Sequence, residues 1–285
     1  MHLFRRKSSS TVSTRVPQPR IIIRTLRTRS QTPEKSERNC VLSESEYNTH
    51  TPDCLKAHNI TPTYRARMVD WMVEITSVFQ LSTKTLFLAV KTMDKYFTLQ
   101  TVCIHSSLLH IIGMVCVFIS SKLEDVEAIS MGLLHNKIGH GKFSVQDICV
   151  TEQAVLKKLG FLVNFATRCD FIEEICEELG VGEEIKELAL FFARVSAYFY
   201  TQLVYKESQV AFGALYVAGK VKKSEDLVSR VLKKAAEKKV YLSFEGFYSE
   251  IAEFPSVFPS LKSVFKASKL SIELNQGEIE LKALN

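Results

Sequence analysis

The stretch LLHIIGMVCVFISS, residues 108 to 121, decides the fold. Apart from His110 and the closing serines it is apolar nearly all round. At 100° per residue no face is left for water, so a helix built from it has to be surrounded by other helices. The stretch is too short to be read as a membrane span, and no window in the chain reaches 18 consecutive apolar residues.

Proline placement extends this reading to the flanks. Pro17, Pro19, Pro33, Pro52 and Pro62 lie early, Pro255 and Pro259 lie late, and residues 63 to 254 contain none. A proline-free stretch of that length, rich in Leu, Ala, Val, Lys and Glu, points to helices throughout. Serine, threonine and glycine punctuation places five of them before residue 160: 64–79, 83–97 opened by Ser82 or Thr83, 105–122 opened by Ser106 or Ser107, 127–138, and Ser144 to Leu159 stopped by Gly160. After the connector FLVNFATRCD come 170–179 closed by Gly180, 183–202, 207–219, 224–238 and 242–252. Val210, Ala211, Ala214, Leu215 and Ala218 make the third helix of this second set apolar as well. The fold class expected is all-α, two tandem five-helix bundles with a weak internal repeat.

Composition narrows the function classes. The chain has 285 residues, 46% hydrophobic and 24% charged, enough for two cores. Its formal charge of +6 is uneven: residues 1 to 40 carry +8 and the rest −2. That basic, Ser/Thr/Arg/Pro-rich leader has little to bury and is expected to be disordered and regulatory. Thr32-Pro33, Thr51-Pro52 and Thr61-Pro62 are minimal proline-directed phosphorylation motifs. With no apolar run at MHLFRRKSSS, an intracellular protein is expected. Seven scattered cysteines without a CxxC pair argue against a zinc site or a disulfide framework. There is no phosphate-binding glycine loop and no HExxH. His135 and His140, near glycines and without acidic or cysteine partners, read as loop histidines. No metal, cofactor or catalytic residue is therefore expected.

The segment YRARMVDWMVEI, residues 64 to 75, carries the only tryptophan. Two stripes run along it at helical spacing. Val69, Met72, Val73, Thr76 and Phe79 suffice for a core face, while Tyr64, Met68, Trp71, Ile75 and Val78 lie beside them. Trp71 is then either core, with Arg67 covering its ring by a cation–π contact, or part of an open groove.

In this order and spacing, ITPTYRARMVDWMVEI, TLFLAVKTMDKYF, ISSKLEDVEAIS and EQAVLKKLGFLVN resemble the N-terminal cyclin box, most closely that of the mitotic A and B cyclins. The second half resembles a cyclin fold through SQVAFGALYVAGKV and its helix pattern. The resemblance implies a tail over 1–45, a cyclin box over 46–165, a second cyclin fold over 166–256 and an extension over 257–285. It implies a non-catalytic subunit that binds and activates a cyclin-dependent protein kinase in the cell cycle, in nucleus and cytoplasm. Arg65 and Asp94 become a structural ion pair; Lys122, Leu123 and Glu152 become the grip on the kinase. Tyr64, Arg67, Met68, Trp71 and Glu74 become the wall of a groove that recruits substrate or inhibitor peptides. The chain departs from the family at Tyr64 and Arg67, where Met and an aliphatic residue are usual, at Met68 where Leu is usual, and at Leu123, usually aromatic. An intramolecular Lys122–Glu152 pair is the plainer reading of those two residues. A cyclin-fold transcription factor and a helical scaffold are the alternatives from other classes. The near-neutral folded part and the missing CxxC ribbon speak against nucleic acid, and no membrane partner is implied.

Overall fold

The computed structural model describes residues 54–252, 259, 260 and 263. The basic leader, Thr32-Pro33, Thr51-Pro52 and most of the 257–285 extension lie outside the described residues.

Ten helices follow one another, with no strand among the described residues beyond an isolated bridge between Asn59 and His105. The first set is α1 (Pro62–Val78), α2 (Thr83–Leu99), α3 (Leu109–Glu124), α4 (Met131–Leu133, continued as a π-turn over Leu134–Ile138) and α5 (Val145–Lys158). The second is α6 (Arg168–Leu179), α7 (Glu183–Tyr198), α8 (Glu207–Val221), α9 (Glu225–Glu237) and α10 (Phe244–Ala252). The fold is thus all-α, two successive five-helix sets.

Short polar side chains set the starts. Thr61 accepts the Tyr64 N–H while Pro62 opens α1, so this Thr-Pro pair has a structural role as helix cap. Ser82 caps α2, and Ser144 with Asp147 forms a reciprocal box on α5. Each such cap contributes about 1 kcal/mol. Gly180 ends α6 in the left-handed region, φ 61°, where a side chain would be strained.

The third helix of each set is its centre. Residues 111–121 of α3 are all buried, against α1, α2 and α5. Residues 210–219 of α8 are all buried, against α6, α7, α9 and α10. Together with its leading turn, α3 spans Ser106–Glu124, long and apolar enough to cross a bilayer, and its burial in the bundle accounts for that apolarity. Each central helix also has a glycine at its tightest crossing. A Cβ on Gly113 would stand 2.5 Å from Met68 Cε, and one on Gly213 would stand 2.9 Å from Phe247 Cδ1. The repeat is therefore carried by packing as well as by helix order.

Three boundaries differ from the sequence reading by more than two residues. α3 is preceded by a 3-10 turn, Ser106–Leu108, capped by His105 rather than by a serine. α4 begins at Met131, not 127, because Ser130 caps it through the Leu133 N–H and the preceding loop is tied down instead. There Asp125 accepts from the Ser82 N–H and the Thr85 hydroxyl, and Ser121 Oγ accepts from the Ile129 N–H. α7 stops at Tyr198, where Phe199 turns extended before the 3-10 segment Tyr200–Val204.

Candidate functional site

Buried charge holds the two helical sets together. Arg65, on α1, donates from Nε and Nη2 to the two carboxylate oxygens of Asp94 on α2, both at 2.7 Å, with side chains 1% and 3% exposed. Its Nη1 reaches the Ala197 carbonyl at the end of α7, 2.9 Å away. The bidentate geometry satisfies both partners, which is what makes such a pair tolerable in a core.

A second arginine does the same at the corresponding place in the second set, and the sequence reading missed it. Arg168, opening α6, donates to Glu207 of α8 from Nε and from its own backbone N–H, each at 2.9 Å, and from Nη1 to Ser196 Oγ at 2.8 Å. Burial pushes the Glu207 carboxyl up, but Arg168 and Lys91 outweigh it and hold the group at about 2. Lys84 of α2 adds ion pairs to Asp170 and Glu173 of α6, at 3.0 and 2.8 Å. Ser196 and Ala197, adjacent on α7, thus receive one arginine from each set.

The residues expected to face a kinase come together at the C-terminal end of α3. Lys122 donates to Glu152 Oε1 at 2.5 Å, with its Nζ 3.6 Å over the Phe118 ring. The lysine side chain is 34% exposed and the glutamate 13%. The intramolecular pair therefore exists in the free chain, at the surface. Leu123 is half-buried and packs against the core. Sequence reasoning missed the apolar groups on the same helical set: Phe161 is 63% exposed and Leu162 57%, just beyond the α5 terminus. Phe161 sits at φ 61°, its N–H on the Leu156 carbonyl, so the chain leaves α5 through a left-handed turn that points two large side chains outward. FLV in the connector was the available signal, but alone it reads equally as core.

The α1 stripe divides. Tyr64 is 44% exposed, and Arg67 and Glu74 are exposed as well. Met68 is 5% exposed, wedged against Gly113, and Ile75 is buried, so these two form a floor and not a wall. Trp71 is half-buried. No cation–π contact from Arg67 covers it among the described residues. Its ring instead meets His110 of α3 edge-on, centroids 4.9 Å apart at 89°, and His110 meets Phe143 at 5.6 Å and 67°. His110 broke the apolar pattern of the α3 run, which was the signal for it.

Elsewhere, His135 bonds to Asn136 and His140 is exposed; no group of three metal-ligating side chains occurs among the described residues. Cys103, Cys116, Cys149, Cys169 and Cys176 are free thiols. Burial pushes Cys169 up to about 12 and Cys176 up to about 11, so both are unreactive thiols at neutral pH.

Comparison with known proteins agrees with this geometry. Residues 37–164 match the family model described as the cyclin N-terminal domain. The G2/mitotic-specific cyclin cig2 of Schizosaccharomyces pombe is 28% identical over 151 residues, 52% of this chain and 36% of that protein. This chain thus spans about a third of that relative's length. A viral cyclin from herpesvirus saimiri superposes with a TM-score of 0.54 over 68% of this chain and 87% of its own, at 19% identity. A chain of the yeast RNA Pol II CTD kinase CTDK-1 complex superposes with 0.57 over 73% and 71%, at 14% identity. At these identities the structural likeness is one of fold. With the family match over the first set and the tandem helical sets around α3 and α8, residues 37–164 carry a cyclin box, similar to those of mitotic cyclins, within a tandem cyclin fold.

Proposed function

We propose that this chain is the non-catalytic activating subunit of a cyclin-dependent serine/threonine protein kinase, that it serves cell-cycle control in nucleus and cytoplasm, and that it brings the kinase peptides to act on. The observation that carries the reading is the Lys122–Glu152 pair, preformed at the surface of a cyclin box that also exposes Phe161 and Leu162. An ammonium has three N–H donors, and Glu152 takes one of those on Lys122. The second glutamate oxygen and the remaining lysine donors can engage the backbone of a docked helix without breaking the pair. Phe161 and Leu162, exposed just beyond the end of the helix that carries Glu152, supply apolar area on the same helical set, and polar contact with an apolar anchor is the combination that concentrates binding energy.

Activation needs no chemistry from this chain. By the resemblance to cyclins, the α3–α5 surface holds the regulatory helix of the kinase inward, so that its glutamate meets the lysine that positions ATP. The work is done by binding the active conformer more tightly than the inactive one. Moving the kinase from 1:99 to 99:1 takes about 5.5 kcal/mol of differential affinity. Two desolvated charge contacts at about 2–5 kcal/mol each are of the right size to supply it.

The test is Lys122→Ala combined with Glu152→Ala in the full chain. Co-purification of a protein kinase and stimulation of its activity should both vanish while the helical circular dichroism stays unchanged. Undiminished kinase stimulation by the folded double variant would overturn the assignment.

A further inference from the structure

The face of α1 opposite its buried arginine is unlike the apolar groove the family resemblance implies. Three rings, Trp71, His110 and Phe143, run across α1, α3 and the loop before α5 in successive edge-on contacts, each of them half-buried. The middle one is a histidine whose Nε2 is buried and has no hydrogen-bond partner among the described residues. Burial, followed by the nearby charges of Lys142 and His140, lowers its affinity for a proton. Burial thus favours the uncharged imidazole, which adds ring surface between Trp71 and Phe143.

The charges around these rings are mostly of one sign. Arg67 precedes Trp71 by one turn on the same helix face, is exposed, and makes no ion pair among the described residues. Lys142 is exposed, and its described contact is the ring of Phe143, 5.3 Å from Nζ. His140 is exposed at the tip of the same loop, at φ 48°. Glu74 is the single exposed acid on this stretch of α1, since Asp70 is turned inward and accepts from Tyr198 and Ser260.

We propose that this surface docks an acidic peptide segment of a protein partner: an apolar side chain packs on the Trp71–His110–Phe143 rings, and an adjoining carboxylate is held by the exposed Arg67 and Lys142. A carboxylate is the group that matches an exposed guanidinium and an exposed ammonium at once. A lysine or arginine in the same place would face Arg67 and Lys142 across a partly desolvated surface, where like charges repel. The inference deepens the recruitment half of the proposed function and rests on that half alone, because kinase activation uses the other end of α3.

The experiment measures fluorescence anisotropy on the full chain without kinase. One probe is a labelled 12-residue peptide with a central leucine flanked by glutamates, and the other is the same peptide with lysines in their place. The acidic probe should bind at least about tenfold more tightly than the basic one, the size of one charge-assisted contact. Arg67→Glu and Lys142→Glu, both at exposed positions, should each weaken the acidic probe by about tenfold or more without lowering the melting temperature. Equal or tighter binding of the basic probe, no binding of either probe, or acidic binding indifferent to both charge reversals would overturn the proposal. None of these results touches kinase stimulation, whose own failure in the Lys122/Glu152 double variant would leave peptide docking standing.

Discussion

Removing one partner of the Arg65–Asp94 pair should cost far more than removing both. In Asp94→Leu the Arg65 guanidinium stays buried, keeps its bond to the Ala197 carbonyl and loses two 2.7 Å bonds to a carboxylate. A buried charge stripped of its counterion in this way costs about 3–5 kcal/mol. Arg65→Met leaves the Asp94 carboxylate equally uncompensated and falls in the same range of about 3–5 kcal/mol. In the double variant, Arg65→Met with Asp94→Leu, no charge remains, and apolar side chains of similar length fill the site. The outstanding defect is then the Ala197 carbonyl, worth about 1–3 kcal/mol if it finds no donor. The single changes together would sum to about 6–10 kcal/mol, against about 1–3 kcal/mol for the double, so the coupling energy is several kcal/mol in size. Urea unfolding of all four proteins, followed by helical circular dichroism, measures it directly. A double variant as unstable as the sum of the singles would refute the reasoning, because it would mean that each side chain acts through its own packing and not through the pair.

Two further outcomes follow from the same geometry. Glu207, held at about 2 by Arg168 and Lys91 against an ordinary value of 4.5, should contribute stability that is fully present above about pH 4.5 and lost as pH falls toward 2, roughly 3 kcal/mol in all. Unfolding free energies from pH 6 to 2.5 should show this acid slope flattened in Glu207→Gln, and an unchanged slope would remove Glu207 as its source. Trp71→Ala should cost about 2 kcal/mol, below the ~3–5 kcal/mol of a fully enclosed ring, because the side chain is only half-buried. It should weaken recruitment of peptide-bearing substrates yet spare kinase activity on a short peptide without the docking motif; a parallel loss of both with a large fall in melting temperature would make Trp71 core.

What the sequence disclosed was local or periodic. A run as apolar as residues 108–121 can only be a central helix, and Ser82, Ser144 and Gly180 act within four residues of the backbone groups they cap. The Arg65–Asp94 pair was legible through the family resemblance, and the Lys122–Glu152 pair through the plainer intramolecular reading of those two residues. The Arg168–Glu207 pair was not, because its members stand 39 residues apart in different helices, and no local pattern distinguishes a lysine, arginine or glutamate that will be buried from one that will be solvated. The start of α4 was misplaced because EDVEAIS has helix-forming composition, while the real start is fixed by Ser130 and by long-range bonds from Ser82 and Thr85 to Asp125. Met68 was assigned to a wall through the family resemblance, its spacing placing it on the Trp71 stripe; only the missing side chain at Gly113 lets α3 approach closely enough to bury it.

These long-range contacts converge on one helix. α1 is pinned from within by Arg65, which ties it to α2 and α7, and by Asp70, which accepts from Tyr198 on α7 at 3.0 Å and from Ser260 in the C-terminal segment at 2.9 Å. Met68 locks it laterally against α3. A helix held by buried polar bonds on one face cannot roll or slide to meet a ligand on the other, so Tyr64, Arg67, Trp71 and Glu74 are presented in a fixed arrangement. Fixed side chains and backbone lose little freedom on binding, and that loss is what separates weak from strong association over a small contact area. Short peptides bury little surface, so a docking groove for them needs such a support. The polar core behind α1 is thus a condition for the proposed recognition in front of it, and loosening that core through Arg65 or Asp70 should weaken docking without altering any residue proposed to touch the peptide.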